Sequence, residues 1–98
     1  MTSDYAARAD TATAATPAAA LTATGEIIRL VAARGAGKTV CPSEVARALA
    51  GAGGAWRARM GDVHCAVDQL LAAGAIALSW QGRALAERAG PYRIGPPA

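Results

Sequence analysis

The sequence predicts an α+β fold, mostly helical, in which three helices lead into a β-hairpin. Three observations predict it. The run Lys38-Thr39-Val40-Cys41-Pro42-Ser43-Glu44-Val45-Ala46-Arg47-Ala48-Leu49 reads as a short extended lead, a capped helix start and an amphipathic helix in succession. A second segment, from Trp56, places apolar residues at steps of three and four. After Gly74 the period drops to two, and Gln81-Gly82 supplies a two-residue hairpin turn.

Residues 1–24 are rich in Ala and Thr, with Pro17 and almost no large apolar side chain, so burial cannot offset the entropy of ordering them. They are expected to form a mobile tail ahead of a domain over 25–98, although the helix propensity of alanine leaves room for a helix within 5–15 or 17–23. From Gly25 the pattern changes. Ile27, Ile28, Val31 and Ala32 share one face of a first helix over about 24–34, which Gly35-Ala36-Gly37 ends.

The second helix is expected over about 42–50. Pro42 suits its first position, where a missing N–H costs nothing, and Glu44 can reach back to the exposed amides and favour the positive end of the helix. Val45, Ala46 and Leu49 form its buried face, and Gly51-Ala52-Gly53-Gly54 stops it. A third helix then begins near Trp56, with Met60, Val63, Val67, Leu70, Leu71 and Gly74 in step. Ile76, Leu78 and Trp80 alternate along a strand, Arg83 to Ala86 return, and Gly90-Pro91-Tyr92-Arg93-Ile94 is extended, so that Tyr92 or Ile94 covers the other edge of the sheet. Helix, helix, helix, strand, strand is the order of a winged helix-turn-helix, whose commonest use is nucleic-acid binding.

Composition bounds the function. The 98 residues allow one small domain, and the 53% hydrophobic content overstates its core because so much of it is alanine. Without Phe, the two Trp carry unusual weight, and both are expected as core anchors: Trp56 at the head of the third helix, Trp80 against Tyr92 or a helix. The net charge of +3 is uneven, since the part after Thr24 carries nine basic and five acidic residues. That suits a polyanionic partner. Cys41 and Cys65, in a chain that reads as lacking a signal peptide, are expected as free thiols of a cytoplasmic protein. No apolar stretch approaches the roughly 20 residues of a membrane span, so no membrane partner is expected.

Catalytic motifs are weak. Gly35-Ala36-Gly37-Lys38-Thr39 invites comparison with a phosphate-binding loop, but Ala32 stands where that pattern needs its first glycine, and the segment follows a helix rather than a strand. It reads as a turn. His64 and Cys65 are neighbours pointing about 100° apart on a helix, which suits neither a zinc site nor a nucleophile–base pair. Accordingly no metal, no cofactor and no enzymatic activity are expected.

Gly37-Lys38-Thr39-Val40-Cys41-Pro42-Ser43-Glu44-Val45-Ala46-Arg47, Trp56-Arg57 with Met60, Leu70 with Gly74 and Ile76, Gly82, and Gly90-Pro91-Tyr92-Arg93-Ile94 together resemble an uncharacterised bacterial family of short proteins, a domain of unknown function regarded as winged-helix-like. The resemblance covers about 25–95 and implies a fold rather than an activity. That family's pattern is Arg-rich on the third helix and has Lys in the wing turn, where this chain has His64, Asp68, Gln69 and Gln81.

The expected function is therefore binding of double-stranded DNA. Arg57, Arg59, His64 and Gln69 would be presented by the third helix, with Gln69 suited to an adenine edge and an arginine to a guanine edge. Arg83 at the wing and Arg93 near the C-terminus would position phosphates. Against this, Asp62 and Asp68 lie on the helix face that would approach DNA. The alternative is a module for dimerisation or for binding another protein, without DNA.

Overall fold

A computed structural model describes residues 17–97, with side chains from residue 22. Its elements are α1 (Pro17–Arg34), α2 (Pro42–Ala50), a 3-10 turn (Trp56–Arg59), α3 (Met60–Ala72), β1 (Ala77–Trp80), β2 (Arg83–Leu85) and β3 (Arg93–Gly95). Three helices thus lead into a three-stranded antiparallel sheet of order β2-β1-β3, the α+β, mostly helical class expected and a layout consistent with a winged helix. The expected tail lies outside the described residues as far as residue 16.

The first helix starts at Pro17, seven residues before the periodicity suggests. Proline is favoured at a first helical position, and the alanines that follow need little burial to stay helical. Ala23, Ile27 and Val31 form the buried face, four residues apart, with Leu30 partly covered. Ile28, expected inside, is 42% exposed. Neighbours on a helix point about 100° apart, so Ile27 and Ile28 do not both face the core, and Ala32, one turn on from Ile28, is exposed with it. Gly35 ends α1 at φ +96°, and Gly37 turns the chain again at φ +77°, so the Gly-rich segment is a turn, as its surroundings in the sequence indicated.

The second helix has the expected bounds. Cys41 is its extended N-cap (φ −78°, ψ 139°), a backbone that also suits the residue before a proline. Val45 and Ala46 are buried, as is Pro42. The third helix differs from expectation at its start: Trp56–Arg59 form a 3-10 turn with no buried residue and no capping side chain, and regular α-helix begins at Met60, where the buried face of Val63, Ala66 and Val67 takes over. It closes in a Schellman motif, with Gly74 at φ +74° donating to the Leu71 carbonyl (3.0 Å) and the Ala75 amide to that of Leu70 (2.9 Å).

Leu78 pairs with Leu85 on one side and Ile94 on the other, and Gln81-Gly82 (φ +50° and +81°) makes the two-residue turn from Trp80 to Arg83. β3 lies on the other edge of β1, where the extended segment ending at Ile94 was expected. Val40 continues the sheet beyond it, exchanging backbone hydrogen bonds with Ile94 at 2.7 and 2.8 Å. The link between α1 and α2 is thereby stitched to the far end of the chain. Ile27, Val40, Val45, Val63, Val67, Leu78 and Ile94 are fully buried. Trp56 packs on this core, but Trp80 does not belong to it; at 38% exposed it sits where β1 runs out past the core toward the hairpin turn.

Candidate nucleic-acid interface

The Cys-Pro-Ser-Glu string builds a joint. Glu44 Oε1 accepts the Cys41 amide at 2.9 Å, as in a capping box whose other half is the Cys41 sulfur. Glu44 Oε2 accepts from Arg34 at 2.7 Å, and Arg34 also donates to the Thr39 carbonyl at 3.0 Å, which ties the end of α1 to the start of α2. Arg34, the Cys41 amide and Arg93 hold the Glu44 carboxyl below the usual carboxylate range. At Cys41 burial pulls the thiol up, and bonds from the Ser43 hydroxyl (3.1 Å) and amide, with the nearby Arg93 charge, bring it to below its ordinary value. Arg34, Glu44, Cys41 and Arg93 each find a partner within this joint, which gives it a structural role.

The six residues expected at DNA separate into two groups. Arg93 donates to the Thr39 hydroxyl (2.7 Å) and carbonyl (3.3 Å), completing the joint. His64, half-buried, places Nδ1 2.7 Å from the hydroxyl of Tyr92, which is almost fully buried. Burial, assisted by the charge of Arg88 and opposed by Asp68, lowers the His64 pKa from its ordinary 6.5, while burial pushes Tyr92 up to about 12. These two residues hold the C-terminal strand to the rest of the domain.

Arg57, Arg59, Gln69 and Arg83 face solvent. The Arg57 guanidinium carbon lies 4.4 Å from the centroid of the Trp56 ring, and that of Arg47 lies 4.5 Å from it. Arg47, Arg57, Arg59 and Arg83 take part in no ion pair among the described residues. Arg29, Arg34 and Arg88, by contrast, pair with Glu26, Glu44 and Asp68. The last pair matters for the acidic face of α3, because Arg88 grips both Asp68 oxygens at 2.9 and 3.0 Å and neutralises that charge; Asp62 keeps its own. Gln69 reaches only toward the Cys65 sulfur, at 3.9 Å.

Sequence reasoning names Arg47, with Ser43 and Glu44, as a candidate binding surface and Arg88 as one of the basic residues near the C-terminus, but finds the contacts of neither. Arg47 meets Trp56 across the Gly-rich loop, and Arg88 meets Asp68 across 20 residues; neither spacing matches a local rule. Among the described residues no three His, Cys, Asp or Glu side chains gather as a metal site requires, and no helix is long and apolar enough to cross a membrane.

The fold defines a small α+β domain in which three helices lead into an antiparallel sheet, with Arg57 and Arg59 on the connection between α2 and α3 and Arg83 at the hairpin tip outside every ion pair among the described residues. The chain belongs to the family described as protein of unknown function (DUF3253), whose family model matches residues 20–97. No curated protein matches it.

Proposed function

We propose that the chain is a winged-helix domain that binds double-stranded DNA mainly through backbone phosphates. On this reading α2 and α3 form the helix-turn-helix, with a longer connection than usual, and β1–β2 is the wing. The observation that carries it is the state of the arginines: Arg57 and Arg59 at the head of α3 and Arg83 at the hairpin are exposed and, among the described residues, outside every ion pair. Such guanidiniums meet a phosphate without first breaking a pair, and each contact releases condensed counterions.

Sequence selectivity is expected to be low. The exposed residues of α3 are Gly61, Asp68, Gln69 and Ala72, of which only Gln69 offers the donor–acceptor pair that fits an adenine edge. His64 and Arg93 remain in the bonds of the domain itself. The proposal is of a cytoplasmic binding protein, not an enzyme. Titrating a labelled random-sequence blunt duplex, followed by anisotropy at low and near-physiological salt, tests it; absence of binding at low salt refutes it.

A second reading has one observation in its favour. Trp80 and Ile28, at 38% and 42% exposed, are large apolar side chains in contact with water, as a self-associating or partner-binding surface would have. Light scattering across a concentration series distinguishes a dimer from a monomer.

A further inference from the structure

The Gly-rich loop after α2 shapes a cleft of about 470 Å³, lined by Arg47, Trp56 and the backbone of Gly51 to Gly54. Three glycines of the loop are set by backbone geometry. Gly51 and Gly53 have φ of +78° and +76°, and a Cβ on Gly54 would fall onto the Ala50 carbonyl. The loop closes through the Gly51 amide on the Arg47 carbonyl, the Gly54 amide on that of Gly51 and the Trp56 amide on that of Gly54, all at 3.0 Å. The amides of Ala52, Gly53 and Ala55 take no part in these bonds.

Arg47 in this cleft and Arg57 beside it share the Trp56 ring without a counter-charge. The Arg47 and Arg57 guanidiniums lie over the same indole, which holds them within about 9 Å of each other. Like charges at that separation repel, and no carboxylate pairs with either among the described residues. A guanidinium over a ring uses its face for that contact and keeps its N–H donors for another partner. An aromatic surface, two guanidiniums outside every ion pair among the described residues and a cleft of small-ligand size occur together.

We propose that this cleft binds a nucleoside monophosphate unit, its phosphate held by Arg47 and Arg57 and its base stacked on the Arg–Trp56 column. Phosphate suits two guanidiniums because its oxygens accept bidentate bonds from each, and a base adds a planar partner to an existing stack. The unit could come from a free nucleotide or from an unpaired nucleotide at the end of a strand. The inference goes beyond the duplex reading and does not rest on it, although Arg57 serves in both.

The test uses the full chain carrying Trp80→Phe, which leaves Trp56 as the sole tryptophan. Adenosine monophosphate is expected to quench its fluorescence saturably, with half-saturation around 1 mM, while adenosine at the same concentrations does not. Adding Arg47→Ala, with circular dichroism confirming the fold, is expected to weaken the response at least about tenfold, and Arg47→Lys less. No quenching by the nucleotide, equal quenching by adenosine, or an unchanged response in Arg47→Ala overturns the proposal. A duplex with a single-nucleotide overhang that competes more strongly than a blunt one assigns the strand end as the source; equal competition assigns the free nucleotide. Blunt-duplex binding that survives Arg47→Ala separates this site from the duplex interface, so that either can fail alone.

Discussion

Replacing Glu44 by alanine tests whether the Cys-Pro-Ser-Glu string is a structural joint or a binding surface. The substitution removes the acceptor of the Cys41 amide and releases Arg34. Loss of an N-terminal cap costs about 0.5–2 kcal/mol. The Arg34 contact adds little to this, because both side chains are more than a third exposed and water screens the pair. A loss of about 1 kcal/mol lowers the Tm of a domain this size by about 4–8 °C. Thermal melts of parent, Glu44→Ala, Arg34→Ala and the double variant, followed by circular dichroism, measure it. Glu44→Ala is expected to melt several degrees lower, with only a small coupling to Arg34, and to bind duplex as the parent does at temperatures where both are folded. An unchanged Tm together with lost duplex binding would refute the structural assignment and make Glu44 part of the interface.

Three further outcomes follow from the same contacts. Because the folded chain holds the His64 pKa below 6.5, the unfolded state takes up the proton first as pH falls; stability should decline below pH 6.5, a slope that urea melts should find absent in His64→Gln. Glu44 and Asp68, whose pKa values are lowered from 4.5 and 3.8, add a separate loss at more acid pH that His64→Gln retains. Ile94→Ala, at the point where β1, β3 and Val40 meet, should cost about 2–5 kcal/mol in urea unfolding and abolish folding if the domain is at the low end of ordinary stability. Gln81→Asn, at φ +50°, should raise Tm slightly, since asparagine before glycine is preferred in this hairpin turn; a lower Tm would contradict the turn assignment.

What could be read from the sequence was local. Pro42 and Glu44 mark the start of α2, Gly74 the end of α3 and Gln81-Gly82 the hairpin, because each signal acts within a few residues of the backbone it shapes. Where a choice depended on distant packing, pattern did not decide it. Ile28 competes with Leu30 for the core, and only the placement of α1 against the other helices turns Ile28 outward. Trp80 alternates correctly with Leu78 yet lies beyond the core that Leu78 fills. At the candidate interface the arginines were visible individually, but their pairing was not: Arg88 with Asp68, Arg93 with Thr39 and Arg47 with Trp56 are all brought together by tertiary structure. That sorting, more than the net charge, leaves Arg57, Arg59 and Arg83, together with Arg47 on α2, outside every ion pair among the described residues.

The central claim is tested most directly by the salt dependence of binding to a blunt random-sequence duplex, compared between the parent and a variant with Arg57, Arg59 and Arg83 all changed to alanine. If the three arginines each neutralise a phosphate, the slope of log K against log salt falls in magnitude by about 3 in the variant, and binding at near-physiological salt is lost. A variant that binds as tightly as the parent, with the same slope, contradicts the account.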